Sequence, residues 1–322
     1  MFKRILLPLD RSALAECVLP HTIAIARAFD AHVMLLHVMD TPRDAWSQQA
    51  VDPLDWQIRR AEAQTYLQGV SLSLQAADVP TETHLLEGAA AEKVIEFADS
   101  YAPQLIILSS HGQSGLSDWG VSSVVQKIVQ RARTSVMIVR AAQPMAPEET
   151  GLRSQRRYQR ILVPLDGTQR AETILPAAVT LARAHDARLV LVHLVQQPAI
   201  PRRTLPSRED VALADQLMEH NQAEATQYLE QLRSRLSENV ELRVLVSEHF
   251  ASTLHEWVEQ EEPDLVLLSA HGRSSQDRGQ LGDVVTNLIE YGTTHLIIMQ
   301  DSTQAHPAPT PIDAANGDSG GL

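Results

Sequence analysis

Two stretches of the chain, LSSHGQSGLSDWGVSSVVQKIV at residues 108–129 and LSAHGRSSQDRGQLGDVVTNLI at 268–289, put small residues between an apolar, strand-like run and a helical pattern. Glycine permits tight turns and close backbone approach, and serine hydroxyls donate to phosphate oxygens. Where such a loop opens a helix, its backbone N–H groups and the positive end of the helix dipole favour an anion, phosphate above all. The same residues also make an ordinary loop with a serine cap, so one copy decides nothing. Two copies point to a site, or to the remains of one.

Other chemistries find less support. His111 and His271 lie in these loops, but no paired acid, nucleophile or metal partner accompanies them, and they read as structural loop histidines. The thirteen histidines show no HExxH or clustered carboxylate spacing, which argues against a built-in metal site. GQSGL lacks the GxSxG spacing of a nucleophile elbow, and there is no GxxxxGK[ST] phosphate loop. Cys17 is the only cysteine, so no intrachain disulfide can form, and a buried structural thiol in a reducing compartment is expected.

The elements that position the loops come in two sets. RILLPLDRSALAECVLPHTIAIARAFDAHVMLLHV returns as RILVPLDGTQRAETILPAAVTLARAHDARLVLVHL at a shift of 156. AEAQTYL matches AEATQYL at a shift of 162, and VIEFA matches LHEWV at 160, as do the two SxHG turns. This is a duplicated domain with its length changes confined to loops. In the first copy, strands are expected near 4–9, 32–38, 81–86, 104–109 and 135–139, and helices near 13–29, 54–77, 89–101 and 120–132. Alternating strands and helices imply parallel pairing, and continuous apolar strands such as LIILS imply a sheet covered on both faces. Each half is therefore expected to be a doubly wound α/β sandwich.

Length and charge agree with this. The 322 residues suit two domains, and the net charge of −13, from 40 acidic against 27 basic side chains, argues against nucleic-acid or anionic-membrane partners. RSQRRYQR is too short to reverse that and reads as a solvated linker. Runs such as VMLLHVM are too short to cross a bilayer as a helix. MFKRILLPLD enters a strand pattern without a signal-peptide cleavage pattern, so a cytoplasmic protein is expected.

Taken together, the Pro-x-Asp strand ends of ILLPLD and ILVPLD, the LLHVMD and LVHLV second strands and the SxHG turns after the fourth resemble the universal stress protein family in its tandem form. The resemblance spans residues 1–140 and 158–301, leaving 141–157 as a linker and 302–322 as a disordered tail. It implies two parallel five-stranded sheets of strand order 3-2-1-4-5, with ATP or another adenine nucleotide bound in some members, with or without Mg²⁺. The family pattern G-x2-G-x9-G-[ST] falls on Ser109, Gly112, Ser122 and Ser123 in the first copy, and on Ser269, Gly272, Gly282 and Asp283 in the second. Neither copy is intact. The resemblance also places Asp10 and Asp166 near the adenine or ribose, the backbone of Val38 and Leu194 beside the base, and Pro8 among the binding residues. Asp10 and Asp166 serve equally well as strand-end turn or cap residues.

Three readings follow. The first is a nucleotide-responsive stress or regulatory protein that acts through conformational or partner change. The second is a nucleotide-independent interaction protein with both cradles decayed. The third, an ATP-hydrolysing or adenylating enzyme, lacks a recognisable base or nucleophile. The fifth strands, SVMIVR and HLIIMQ, are expected to pair within the chain, since each would otherwise be an exposed apolar edge. A homodimer and an unidentified regulatory protein partner are compatible with the sequence, which specifies neither.

Overall fold

The computed structural model describes residues 1–40, 53–112, 115, 121–141, 156–197, 207–236, 239–271 and 281–300. The expected linker and tail fall largely outside these residues.

The first half runs β1 (Arg4–Pro8), α1 (Ala13–Glu16), α2 (Val18–Phe29), β2 (His32–Met39), α3 (Pro53–Gln75), β3 (Thr81–Glu87), α4 (Ala90–Tyr101), β4 (Leu105–Ser109), α5 (Ser123–Arg131) and β5 (Ser135–Val139). The second repeats it as β6 (Arg160–Leu165), α6 (Gln169–Glu172), α7 (Leu175–His185), β7 (Arg188–Gln196), α8 (Arg208–Arg235), β8 (Val240–Ser247), α9 (Phe250–Glu261), β9 (Leu265–Ser269), α10 (Asp283–Tyr291) and β10 (His295–Met299). The strands form one sheet in the order β3-β2-β1-β4-β5-β10-β9-β6-β7-β8. Each half therefore has order 3-2-1-4-5. Pairing is parallel except at the centre, where β5 and β10 run antiparallel with Met137 opposite Ile297.

Alternation along the strands divides the core by face. Ile5 and Leu7 pack with α2 and α3, and Ile161 and Val163 with α7 and α8; Leu6 and Leu162 point to the opposite layer, where α4, α5, α9 and α10 lie. Both faces are thus covered, which is why the central strands read as unbroken apolar runs.

The helix expected over 13–29 is broken at Cys17. Pro20 has no N–H to give the Glu16 carbonyl, and its ring would clash there, so α1 ends and α2 begins around Cys17. Pro176 breaks the second copy at the same place, between α6 and α7. Likewise α5 starts at Ser123 and not at 120, because Ser122 is extended and caps it. Among the described residues, no helix is long and apolar enough to cross a membrane.

Across the centre, Arg140 donates from its guanidinium to the Ile289 and Thr294 carbonyls, binding the end of α10 to the first half.

Candidate functional site

In each half the strand order reverses between the first and fourth strands, and ligands in such sheets lie beyond the carboxyl ends at that switch. In the first half, β1 delivers Asp10 and β4 delivers Gly112 to this point. The Asp10 Oδ1 accepts from the Ser12 N–H at 3.0 Å and the Ser12 hydroxyl at 2.6 Å. Ser12 in turn caps α1, accepting from the Ala15 N–H at 3.0 Å. The other carboxylate oxygen lies so close to Gly112 that a Cβ there would fall on it. Two motifs about a hundred residues apart thus close on one another, and glycine is needed at 112 for that approach. His37, buried on β2, donates from Nδ1 to the Leu9 carbonyl at 2.7 Å and fixes the end of β1 beside Asp10.

The remaining predicted residues divide between frame and opening. Pro8 ends β1, where the strand pairs only with β2 and its missing N–H costs nothing. Val38 is half-buried near the end of β2, opposite Leu86. Ser109 is turned inward: its Oγ donates to the Leu14 carbonyl at 3.0 Å and lies 3.5 Å from the Cys17 sulfur. Burial pushes the Cys17 thiol up from its ordinary value. Ser122 caps α5, its side chain accepting from the Val125 N–H at 3.4 Å, while its own N–H donates to the Ser110 carbonyl. Ser123, at the first helical position, is exposed and lines a cleft of about 590 Å³ with Asp40, Arg59, Gly88, Glu92 and Lys127. His111 is buried, with Nδ1 3.1 Å from the Ser110 hydroxyl.

The cleft adds two cations that motif reasoning missed, Arg59 on α3 and Lys127 one turn into α5. They come from helices that no short motif links. The signal lies in comparing the copies: at the matching positions the second copy has Asn221 and Asn287.

The second site keeps the frame and changes the charge. The Asp166 Oδ1 accepts from the Thr168 N–H at 2.9 Å and its hydroxyl at 2.6 Å, repeating the Asp10 turn. Leu194 is half-buried on β7 opposite Leu245. Ser269 donates to the His271 carbonyl at 2.9 Å. Gly272 lies outside the described residues. Gly282 is the N-cap of α10 without a side-chain cap, and Asp283 follows in the first turn. There its carboxylate is stabilised by the helix dipole, so this helix start carries its own anion. The Tyr228 hydroxyl donates to Glu172 at 3.1 Å below this site, and burial with the Glu172 charge raises its pKa well above the ordinary phenol range.

A family model described as the universal stress protein family matches residues 1–140 and 157–298. A universal stress protein of Methanocaldococcus jannaschii is 28% identical over 141 residues, covering 44% of this chain and 83% of that protein. A second from the same organism is 24% identical over 155 residues, covering 44% and 96%. Among solved structures, a universal stress protein from Archaeoglobus fulgidus superposes with a TM-score of 0.63 at 15% identity, over 93% of this chain and 99% of that one. A Pseudomonas aeruginosa structure described as a putative universal stress protein gives 0.64 at 11%, over 92% and 93%. These structures share the fold across both halves, and the chain belongs to the universal stress protein family.

Proposed function

We propose that the protein is a regulatory binding protein whose first domain takes ATP or another adenine nucleotide, with or without Mg²⁺, and responds by conformational or partner change. The observation that carries this reading is the contrast between the two domains around the helix that follows the fourth strand. In the first domain Ser123, Arg59 and Lys127 line a cleft of about 590 Å³, where the two cations balance the carboxylates of Asp40 and Glu92. The matching positions of the second are Asp283, Asn221, Asn287, Gln196 and Ser252, which leave one uncompensated carboxylate. A carboxylate beside a phosphate oxygen repels it by about 1–4 kcal/mol per charge pair, depending on the effective dielectric, and about 1.4 kcal/mol is tenfold in affinity. The first domain is therefore the tighter site.

The nucleotide-independent reading has one observation in its favour: Ser109, where the family pattern has glycine, is spent on the Leu14 carbonyl and faces away from the cleft. Gentle purification followed by mass spectrometry of the small molecules released on denaturation separates the two. About one adenine nucleotide per chain, either carried through or taken up on incubation with ATP, supports the proposal. No uptake at millimolar ATP leaves the interaction-protein reading.

A further inference from the structure

The seam between the two halves is lined with histidine. His21, on α2, is buried, with Nδ1 2.8 Å from the Tyr158 hydroxyl. Its ring meets that of His295, at the start of β10, edge-on with centroids 4.2 Å apart. His295 reaches back into the first half, where its Nδ1 accepts from the Arg140 backbone N–H at 3.0 Å. Fully buried Tyr158 packs edge-on against His185, at the end of α7, with centroids 4.9 Å apart. The three contacts made by His21 and His295 all cross between the halves.

The repeat indicates that the fold does not require histidine here. Tyr158 and His185 occupy the positions of Phe2 and Phe29, which form the same edge-on pair at 4.9 Å in the first half. His295 occupies the position of Ser135, whose hydroxyl accepts from the Gln300 N–H at 3.2 Å, the pseudo-twofold counterpart of the His295–Arg140 bond. His21 corresponds to Ala177. One side of the seam thus uses titratable groups where the other uses inert ones.

We propose that this seam is a proton-operated joint: acidification charges the His21–His295 pair and loosens the β5–β10 and α2–α7 contacts while each half keeps its own sheet. A proton on His295 Nδ1 replaces the acceptor of the Arg140 N–H with a second donor, and two charged rings in edge contact repel. The surroundings reinforce this. Arg140, after β5, and Arg156, before β6, bear on the pair, and Arg157 bears on His185. Asp264, before β9, opposes them, but it already accepts from the Gln159 and Arg160 N–H groups and lies 3.9 Å from Arg156. A cleft of about 460 Å³ lined by His295, Arg156, Glu259, Glu262 and Asp264 gives protons a route in.

Burial first, then the Arg156 and Arg140 charges, holds His295 down at about 4. Burial and the neighbouring His295 hold His21 well below its ordinary value. The closed seam therefore binds fewer protons than the open one between about pH 6.5 and pH 4. Closure is fully favoured above that window and weakens as pH falls through it. For His295 alone, the change from pH 7 to pH 5 is about twentyfold.

Hydrogen exchange on the full chain, corrected for intrinsic pH dependence, tests the joint. From pH 7 to pH 5 the amides of residues 136, 138, 296 and 298, which face across the seam, should lose protection about twentyfold or more relative to those of β1 and β6, and His295→Ser should suppress that loss. The serine reproduces the Ser135 arrangement, so an acceptor for the Arg140 N–H is retained. Equal loss in wild type and His295→Ser, or loss spread evenly over all strands, overturns the proposal. Should the variant not fold, imidazole titration of the wild type by NMR decides the matter. Midpoints of His21 and His295 below about 5.5 support the joint, and midpoints near 6.5 overturn it.

Discussion

Replacing Gly112 with alanine should destabilise the protein only because Asp10 is there. The new Cβ falls on Asp10 Oδ2, so the carboxylate must swing away. Its other oxygen holds the Ser12 N–H at 3.0 Å and the Ser12 hydroxyl at 2.6 Å, and Ser12 caps α1. Hydrogen bonds to a charged group contribute about 1.5–3 kcal/mol each, and the half-buried setting places these at the lower end, so losing both costs about 3 kcal/mol. Asp10→Ala removes the same two bonds at a similar cost. Once they are gone, the methyl group added at position 112 meets no carboxylate. The double variant should therefore cost about 3–4 kcal/mol and not the additive value of about 6, a coupling of about 2–3 kcal/mol. Urea denaturation of wild type, both single variants and the double variant, followed by circular dichroism, closes the cycle. Strictly additive costs would show that the two motifs do not touch and would remove the frame on which the candidate site is built.

Three further outcomes are expected. Asp283→Ser should lose about 0.3–1 kcal/mol of stability, since the carboxylate no longer meets the α10 dipole, yet should strengthen ATP binding in the second domain; parallel denaturation and calorimetry read both. Arg59→Ala with Lys127→Ala should leave the thermal midpoint within a few degrees, both side chains being exposed, and should weaken ATP binding at least tenfold while flattening its salt dependence. Ser122→Ala should cost about 0.5–1 kcal/mol through the lost α5 cap, seen as a lower urea midpoint.

The fold was legible because the repeat, the alternation of apolar runs with helical patterns and the unbroken strands LIILS and LVLLS all specify a parallel sheet covered on both faces. The breaks at Cys17 and Thr173 were also within reach, since Pro20 and Pro176 forbid a continuous helix. What motif spacing cannot convey is which side chains meet. Ser109 and Ser123 are both small hydroxyl residues in the loop region, yet one ends a buried strand facing Leu14 and the other opens a helix onto the cleft. Arg59 and Lys127 converge only because the first turns of α3 and α5 border the same cleft. His21 and Tyr158, 137 residues apart, meet only once the two halves are joined.

The proposed function depends on a single dominant nucleotide site in the first domain, and calorimetry of the full chain with ATP and Mg²⁺ measures that site. The wild type should show one strong site per chain, weakened at least tenfold by Arg59→Ala with Lys127→Ala, and Asp283→Ser should strengthen a second. No heat of binding at millimolar ATP, or two equal sites unaffected by the paired substitution, would refute it.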